Sequence, residues 1–152
     1  VTLKKQNVPY RLNSYSYVDN ATLTIEAGTT ILMNSNASLI VDENGGLIAD
    51  GSTETITFTG YAATKGYWRY IQFNDNAIAS DCQIINCILE YGGGYSSSSG
   101  IIDIQNLPTV TGNTIQYSSS YGIVYDEDAG AHSDYASDNT FNDNTAGDVY
   151  GY

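Results

Sequence analysis

Short runs of strand-forming residues recur along the whole chain, and this repetition restricts the fold more than any other feature. In the second half, Asn86, Asn113 and Asn139 each stand two positions before an apolar residue. Their spacing of roughly 26 residues is the length of one coil in a solenoid, where stacked coils share an apolar core that no single coil could form. The sequence therefore predicts an all-β solenoid of about six coils with parallel strands.

The first half of the chain contains similar runs, bounded by turn residues. They cover residues 23–25, 30–33, 39–41, 47–49 and 56–58. The Asn44-Gly45 pair is typical of a type I′ hairpin and leaves an antiparallel arrangement as the alternative. Runs of only three to five residues are short for a sandwich or meander and favour the solenoid.

The three aligned asparagines have a predicted structural role. Stacked side-chain amides can bond to each other and to main-chain groups that a bend leaves unpaired. Asparagine also tolerates the left-handed backbone of a sharp bend. We therefore predict a ladder formed by Asn86, Asn113 and Asn139.

Composition and charge exclude several classes of protein. Ile and Val far outnumber Leu, which argues against a helical fold. With 17 acidic and 5 basic side chains, the net charge is −12. Such a chain lacks the clustered cations of a nucleic-acid groove and is repelled by anionic membranes. No apolar run is long enough to insert into a bilayer.

Several segments resemble right-handed parallel β-helix domains, of the pectate-lyase-like type, in secreted and cell-surface bacterial proteins. The run LTIEAGTTI at 23–31 resembles their LTIEPGT.I opening, GYW at 66–68 their G.W.GI.F coil, and CILEYGG at 87–93 their C.IEYGG coil. The resemblance covers roughly residues 8–145. It implies a single-stranded right-handed parallel β-helix over 21–152 behind an entry strand or N-terminal cap at 1–20, and a secreted or cell-surface location.

An aromatic group is the first candidate binding site. Tyr67, Trp68, Arg69 and Tyr70 are consecutive, and Tyr95 lies in a Gly/Ser-rich loop that could protrude from the wall. If 66–73 is a strand, alternate residues face opposite sides, and one set of rings is exposed for stacking on sugars. The alternative is that Trp68 belongs to the core.

An acidic group is the second candidate. Asp126, Glu127 and Asp128 are followed by His132, Asp134 and Asp138. Several oxygen ligands in one loop suit calcium, the one candidate cofactor, and paired carboxylates suit glycoside hydrolysis. The alternative is a solvated loop, because the spacing is not that of an EF-hand.

An enzyme of the β-helix type, a polysaccharide lyase or glycoside hydrolase, is the alternative function. Its base would be Arg69 or Lys65, and its acid or metal ligand Glu90, Asp126 or Asp128. The NTD, GHG and RIK motifs of the β-helix pectin hydrolases are not in the sequence, and basic residues are few. The balance is against catalysis.

The two cysteines are only five positions apart. If Cys82 and Cys87 lie in strands on either side of a bend, their Cα atoms are too far apart for a disulfide. Two free core thiols are therefore expected, with a disulfide as the alternative.

Together these features predict a non-catalytic extracellular β-helix module for surface display, adhesion or glycan binding. Its partners would be a polysaccharide or other surface proteins. The last residues, 147–152, lie inside another apparent coil. We therefore expect the solenoid to continue or to pair at that end, which would permit a homo-oligomer or an end-to-end filament.

Overall fold

The computed structural model describes residues 1–130 and 134–152, and its fold is all-β. The strands in chain order are β1 (Thr2–Leu3), β2 (Tyr10–Leu12), β3 (Tyr15–Asp19), β4 (Thr22–Ile25), β5 (Thr30–Met33), β6 (Ser38–Asp42), β7 (Gly46–Asp50), β8 (Ile56–Gly60), β9 (Ile71–Phe73), β10 (Cys82–Ile85), β11 (Cys87–Glu90), β12 (Gly100–Ile104), β13 (Thr109–Thr111), β14 (Thr114–Gln116), β15 (Tyr121–Tyr125), β16 (Thr140–Asn142) and β17 (Gly147–Gly151). A short helix, α1 (Tyr135–Asp138), precedes β16, and 3₁₀ turns occupy Ala79–Asp81 and Glu127–Ala129.

The strands form three parallel sheets. Sheet 1 has the order β1-β4-β7-β10-β13, sheet 2 the order β2-β5-β8-β11-β14-β16, and sheet 3 the order β3-β6-β9-β12-β15-β17. From β1 to β15 the chain visits sheets 1, 2 and 3 in rotation, and from β4 onward each of these strands pairs with the strand three places before it. The parallel pairing excludes the hairpin alternative at Asn44-Gly45, whose flanking strands, β6 and β7, belong to different sheets.

The core consists of apolar files that run across the sheets. In sheet 2, paired positions are occupied by Tyr10, Ile31, Phe58, Leu89, Ile115 and Phe141. In sheet 3, Ile71, Ile102 and Ile123 are paired and fully buried. Alternate residues of each strand point to this side, so a register with like residues at each level produces continuous stacking. Fully burying a side chain of this size contributes about 1.5–3 kcal/mol.

Residues 1–20, predicted to form an entry strand or N-terminal cap, pair like the rest of the chain. Strands β1, β2 and β3 join sheets 1, 2 and 3 in register with β4, β5 and β6. The first 20 residues therefore extend the same three sheets.

The predicted strand at 66–73 is shorter in the structure. Only Ile71–Phe73 forms β9, and the four residues before it run as a loop. Gly66 has a left-handed φ of 72°, and the amide of Tyr67 bonds to the carbonyls of Thr64 and Tyr91 instead of joining a sheet ladder. The bend at Gly66 is thus the reason that the strand begins late.

Both cysteines are free and buried in the core, as predicted. The thiol of Cys87 contacts the carbonyl oxygen of Ile85 at 3.2 Å. Burial raises the pKa of Cys87 to about 12 and also raises the pKa of Cys82. Both thiols are therefore held in the protonated, unreactive form.

Within residues 1–130 and 134–152, no helix is long and apolar enough to cross a membrane.

Candidate functional site

The outer face of sheet 3 carries one file of side chains that crosses the whole sheet. In β9, β12 and β15, the residue that follows the paired, buried isoleucine points away from the core, because side chains alternate along a strand. This central file contains, in sheet order, Tyr17, Ile40, Gln72, Asp103, Val124 and Tyr150. Its two ends are exposed rings, Tyr17 at 60% and Tyr150 at 41%. The face thus combines aromatic ends with a carboxylate near its middle.

The Gly/Ser-rich segment 92–99 packs on this face. Ser99 is buried, and its hydroxyl lies 2.8 and 2.9 Å from two carbonyl oxygens of the same segment. Ser120 donates a hydrogen bond to a third carbonyl of the segment at 2.7 Å. The ring of Tyr95 meets Tyr70 edge-on at 5.6 Å. These contacts give the segment, which the sequence places as a protruding loop, a defined position against the wall.

Three of the predicted ligand residues form one cluster beside this segment. The guanidinium of Arg69 lies 5.0 Å from the ring centroid of Tyr15 and 5.1 Å from that of Tyr95. It also donates a hydrogen bond to the Tyr15 hydroxyl. Contacts of this kind contribute about 0.5–2 kcal/mol each. Tyr70 contacts Tyr95, as described above, and burial raises the pKa of Tyr70.

The other two predicted residues do not join the cluster. Trp68 is fully buried in the core, where its indole donates to the carbonyl of Glu90 at 2.8 Å. It offers no ring face to a ligand, so the structure corrects its assignment as a binding residue. Tyr67 is half-buried, and its ring packs beside Gly60 at the end of β8.

A groove of about 330 Å³ opens between the segment 92–99 and the central file. It is lined by Tyr95, Ser96, Ser98, Ser99, Asp103, Val124, Tyr150 and Tyr152. Oδ1 of Asp103 is buried and has no hydrogen-bond partner among the residues that the structure describes. Burial raises the pKa of Asp103 to about 6. The pKa of Tyr152 is also raised, first by burial and then by the charge of Asp103.

Sequence reasoning missed Asp103, Tyr150 and Tyr152. One signal was available for Asp103, because it interrupts the apolar strand Gly100–Ile104 at a position that alternation turns outward. No comparable signal joins Asp103 to the two tyrosines, because the pairing of β12, β15 and β17 brings them together.

The acidic group occupies a turn with its own internal bonding. Asp126 accepts a hydrogen bond from the amide of Asp128 at 2.9 Å and caps the 3₁₀ turn Glu127–Ala129. His132 lies outside the described residues. In the described part of the chain, no group of three or more His, Cys, Asp or Glu side chains could hold a metal ion. The calcium site thus stays a prediction without geometric support.

Two of the three predicted ladder asparagines interact. Nδ2 of Asn113 donates to Oδ1 of Asn139 at 2.9 Å and to the carbonyl of Ile84 at 2.8 Å, and Oδ1 of Asn113 accepts from the buried amide of Cys87 at 2.8 Å. Asn139 repeats the pattern, accepting from the amide of Asn113 at 3.1 Å and donating to the carbonyl of Val110 at 3.0 Å.

The structure differs from the predicted ladder at Asn86. The register pairs Thr114 with Ile88, which aligns Asn113 with Cys87 and leaves Asn86 one position away. The exposed amide of Asn86 bonds to the hydroxyl of Ser52 at 2.9 Å, and its backbone has a left-handed φ of 52°. Asn86 therefore makes the bend, whereas Asn113 and Asn139 bond to main-chain groups. Asn144 has the same kind of contacts, with the amide of Ser118 and the carbonyl of Ile115.

The residues of the enzymatic alternative engage in separate contacts. Lys65 pairs with Asp143 at 2.8 Å, while Arg69 packs on tyrosine rings next to sheet 3. Glu90 lies on the outer face of sheet 2, where its two carboxylate oxygens accept from Thr59 and Gln116 at 2.8 Å each. Lys65, Arg69 and Glu90 therefore do not converge as the base and acid of one reaction centre.

Comparison of the chain with protein-family models, with curated proteins and with solved structures finds no match. No residue role is therefore transferred from a relative.

Proposed function

We propose that the three sheets are the walls of a right-handed parallel β-helix of about six coils, similar to the pectate-lyase-like domains of secreted and cell-surface bacterial proteins. Support comes from the rotation of the chain through sheets 1, 2 and 3 and from the pairing of β4 to β15 with strands three places earlier. Connections between parallel strands of one sheet are right-handed in about 98% of known cases, which supports the hand.

The proposed role of this β-helix is non-catalytic binding of carbohydrate outside the cell, for adhesion or display at a surface. The observation that carries the proposal is the set of tyrosines on one side of the molecule. Tyr15, Tyr17, Tyr95, Tyr150 and Tyr152 are all at least 41% exposed and all belong to the outer face of sheet 3 or the segment packed on it.

Exposed rings in one region favour a binding role over a purely structural one. A tyrosine ring buries a large apolar area against a flat partner while its hydroxyl stays hydrated, which suits the face of a sugar ring. Contacts with Arg69 and Tyr70 hold the ring of Tyr95 in place, so that less conformational entropy is lost on binding. The extracellular location is part of the proposal, and the strongly acidic composition favours the solubility that it requires.

The test is retention on immobilised polysaccharides and on a glycan array. The wild-type chain is expected to bind at least one glycan, and Tyr95→Ala to weaken that binding about threefold to tenfold, the value of one aromatic contact. Tyr61→Ala is the matched control, because Tyr61 is 58% exposed and also packs on a cation, Arg11, but follows β8 of sheet 2. Failure of the wild type to bind any glycan would refute the proposal.

A further inference from the structure

One oxygen of the Asp103 carboxylate lacks, in the described part of the chain, the partner that a buried charge requires. Its Oδ1 is shielded from water and receives no hydrogen bond from residues 1–130 or 134–152, and the register neighbours of Asp103 are Gln72 and Val124. A carboxylate in this state is costly unless a donor reaches it, and a cationic donor is the most effective one. Asp103 lines the open groove, so that a cation bound there would lie beside this carboxylate.

The rings around the groove suit a cation as well. Tyr95, Tyr150 and Tyr152 line it together with the carboxylate. Tyrosine faces attract ammonium groups, and the attraction is greatest where water is excluded. The ring of Tyr150 stacks on Tyr121 at 5.0 Å and 18°, so that it is held in place before a ligand arrives.

Serine hydroxyls add the contacts that a sugar needs. Ser96 and Ser98 line the same groove, and both are exposed. Their hydroxyls can donate to and accept from the hydroxyl groups of a sugar. The groove therefore offers an anion, rings and hydroxyls within one volume of about 330 Å³.

The charge of the chain selects the sign of the ligand. The net charge is −12, which attracts cations and repels polyuronates. None of the residues that line the groove is basic. Arg69 contacts the ring of Tyr95 but is not part of the lining, and it is held by Tyr15. A ligand carboxylate in this groove would face Asp103, and none of the lining residues carries a positive charge to offset that repulsion.

We infer that the groove over Asp103 is a subsite for an amine-bearing sugar, whose ammonium group lies against the Asp103 carboxylate while the sugar packs on Tyr95, Tyr150 and Tyr152. This inference rests on the proposed carbohydrate-binding function and specifies its ligand class as cationic, in place of neutral or acidic, glycans.

The pH dependence of binding is a second consequence. Burial raises the pKa of Asp103 to about 6, so the free protein loses this negative charge as the pH falls through that value. The titratable groups around it are the hydroxyls of Tyr70, Tyr95, Tyr150 and Tyr152. Burial raises the pKa of Tyr70 and of Tyr152, and Asp75 and Asp126 also act on Tyr152. The affinity for a permanently cationic sugar is therefore expected to rise between pH 5 and pH 7, as the Asp103 carboxyl loses its proton.

The test uses three oligosaccharides of equal length in titration calorimetry at pH 7. They are a β-1,4-glucosamine hexamer, its fully N-acetylated counterpart and a galacturonate hexamer; a trimethylated glucosamine hexamer serves for the pH series. We expect the glucosamine hexamer to bind at least about tenfold more tightly than the acetylated one, the effect of one charged hydrogen bond. The galacturonate hexamer is expected not to bind.

Two variants separate the site from the overall charge. Asp103→Asn is expected to weaken binding of the glucosamine hexamer about tenfold and to abolish the rise between pH 5 and pH 7. Asp148→Asn removes the same charge from an exposed position of β17 that does not line the groove, and is expected to change affinity less than about twofold. Circular dichroism checks that both variants are folded.

The outcomes distinguish the two proposals. If the wild type binds a glycan on the array but prefers the acetylated or acidic hexamer, or if Asp103→Asn and Asp148→Asn behave alike, the inference is refuted and the carbohydrate-binding function stands. If the wild type binds no glycan at all, both fail.

Discussion

Removal of the Asn113 side-chain amide tests how much its buried hydrogen bonds to neighbouring main-chain groups stabilise the fold. Asn113 is only 1% exposed, and its side chain makes three hydrogen bonds, to the amide of Cys87, the carbonyl of Ile84 and the amide oxygen of Asn139. In Asn113→Ala, the buried Cys87 amide loses its acceptor, which costs about 1–3 kcal/mol, and each lost donated bond adds about 0.5–1.5 kcal/mol. Because neighbouring effects do not add fully, we expect the free energy of unfolding to fall by about 2–5 kcal/mol.

The control removes an amide of the same size from an exposed position. In Asn86→Gly, the left-handed φ of 52° stays available at no cost, and only the bond to Ser52 is lost. This variant is expected to stay within about 0.5 kcal/mol of the wild type.

The assay is equilibrium unfolding in urea, followed by far-UV circular dichroism and by the fluorescence of Trp68, which is buried. A common m-value for the three proteins would show that the change lies in stability and not in the extent of unfolding. A loss below about 1 kcal/mol for Asn113→Ala, or a loss equal to that of Asn86→Gly, would refute the assigned role of the buried amide.

Four further predictions follow from single positions. Trp68→Ala should cost about 3–5 kcal/mol of stability because a fully buried side chain is removed from the core; since the variant lacks the single tryptophan, its urea titration is followed by far-UV circular dichroism alone. Cys82 and Cys87 should react with a thiol reagent only after unfolding, and rapid labelling of the native chain would contradict their burial. Gly45→Ala should abolish soluble folded protein, judged by gel filtration, because its Cβ would overlap main-chain oxygens of two residues. Burial raises the pKa of Asp103 to about 6, so the charged form of Asp103 is disfavoured in the folded state. The free energy of unfolding should therefore fall as the pH rises from about 4 to 7 and this carboxyl ionises. Asp103→Asn should remove that part of the pH dependence, measured by urea titrations at a series of pH values.

The aromatic and asparagine patterns show how far residue type alone carries a prediction. Strand alternation predicts opposite faces for Trp68 and Arg69, but the bend at Gly66 places both in a loop, where Trp68 enters the core and Arg69 meets Tyr15. The asparagine spacing identified Asn113 and Asn139, whose side chains do bond. The spacing does not show that Asn86 has a different role, because a repeat of roughly 26 residues varies by one residue through its loops. Only the strand register shows that Asn113 aligns with Cys87 and not with Asn86.

By itself, the sequence determined the all-β class, the parallel arrangement and the burial of the two free thiols, since these depend on local propensity, on the period of the repeat and on apolar patterning. Only the tertiary structure decided the groove. Asp103, Tyr150 and Tyr152 lie on β12, on β17 and just after it, and they meet because the sheet register and the packing of the segment 92–99 bring them to one face. The register of parallel strands depends on contacts between residues far apart in the chain, and the local sequence pattern does not specify those contacts.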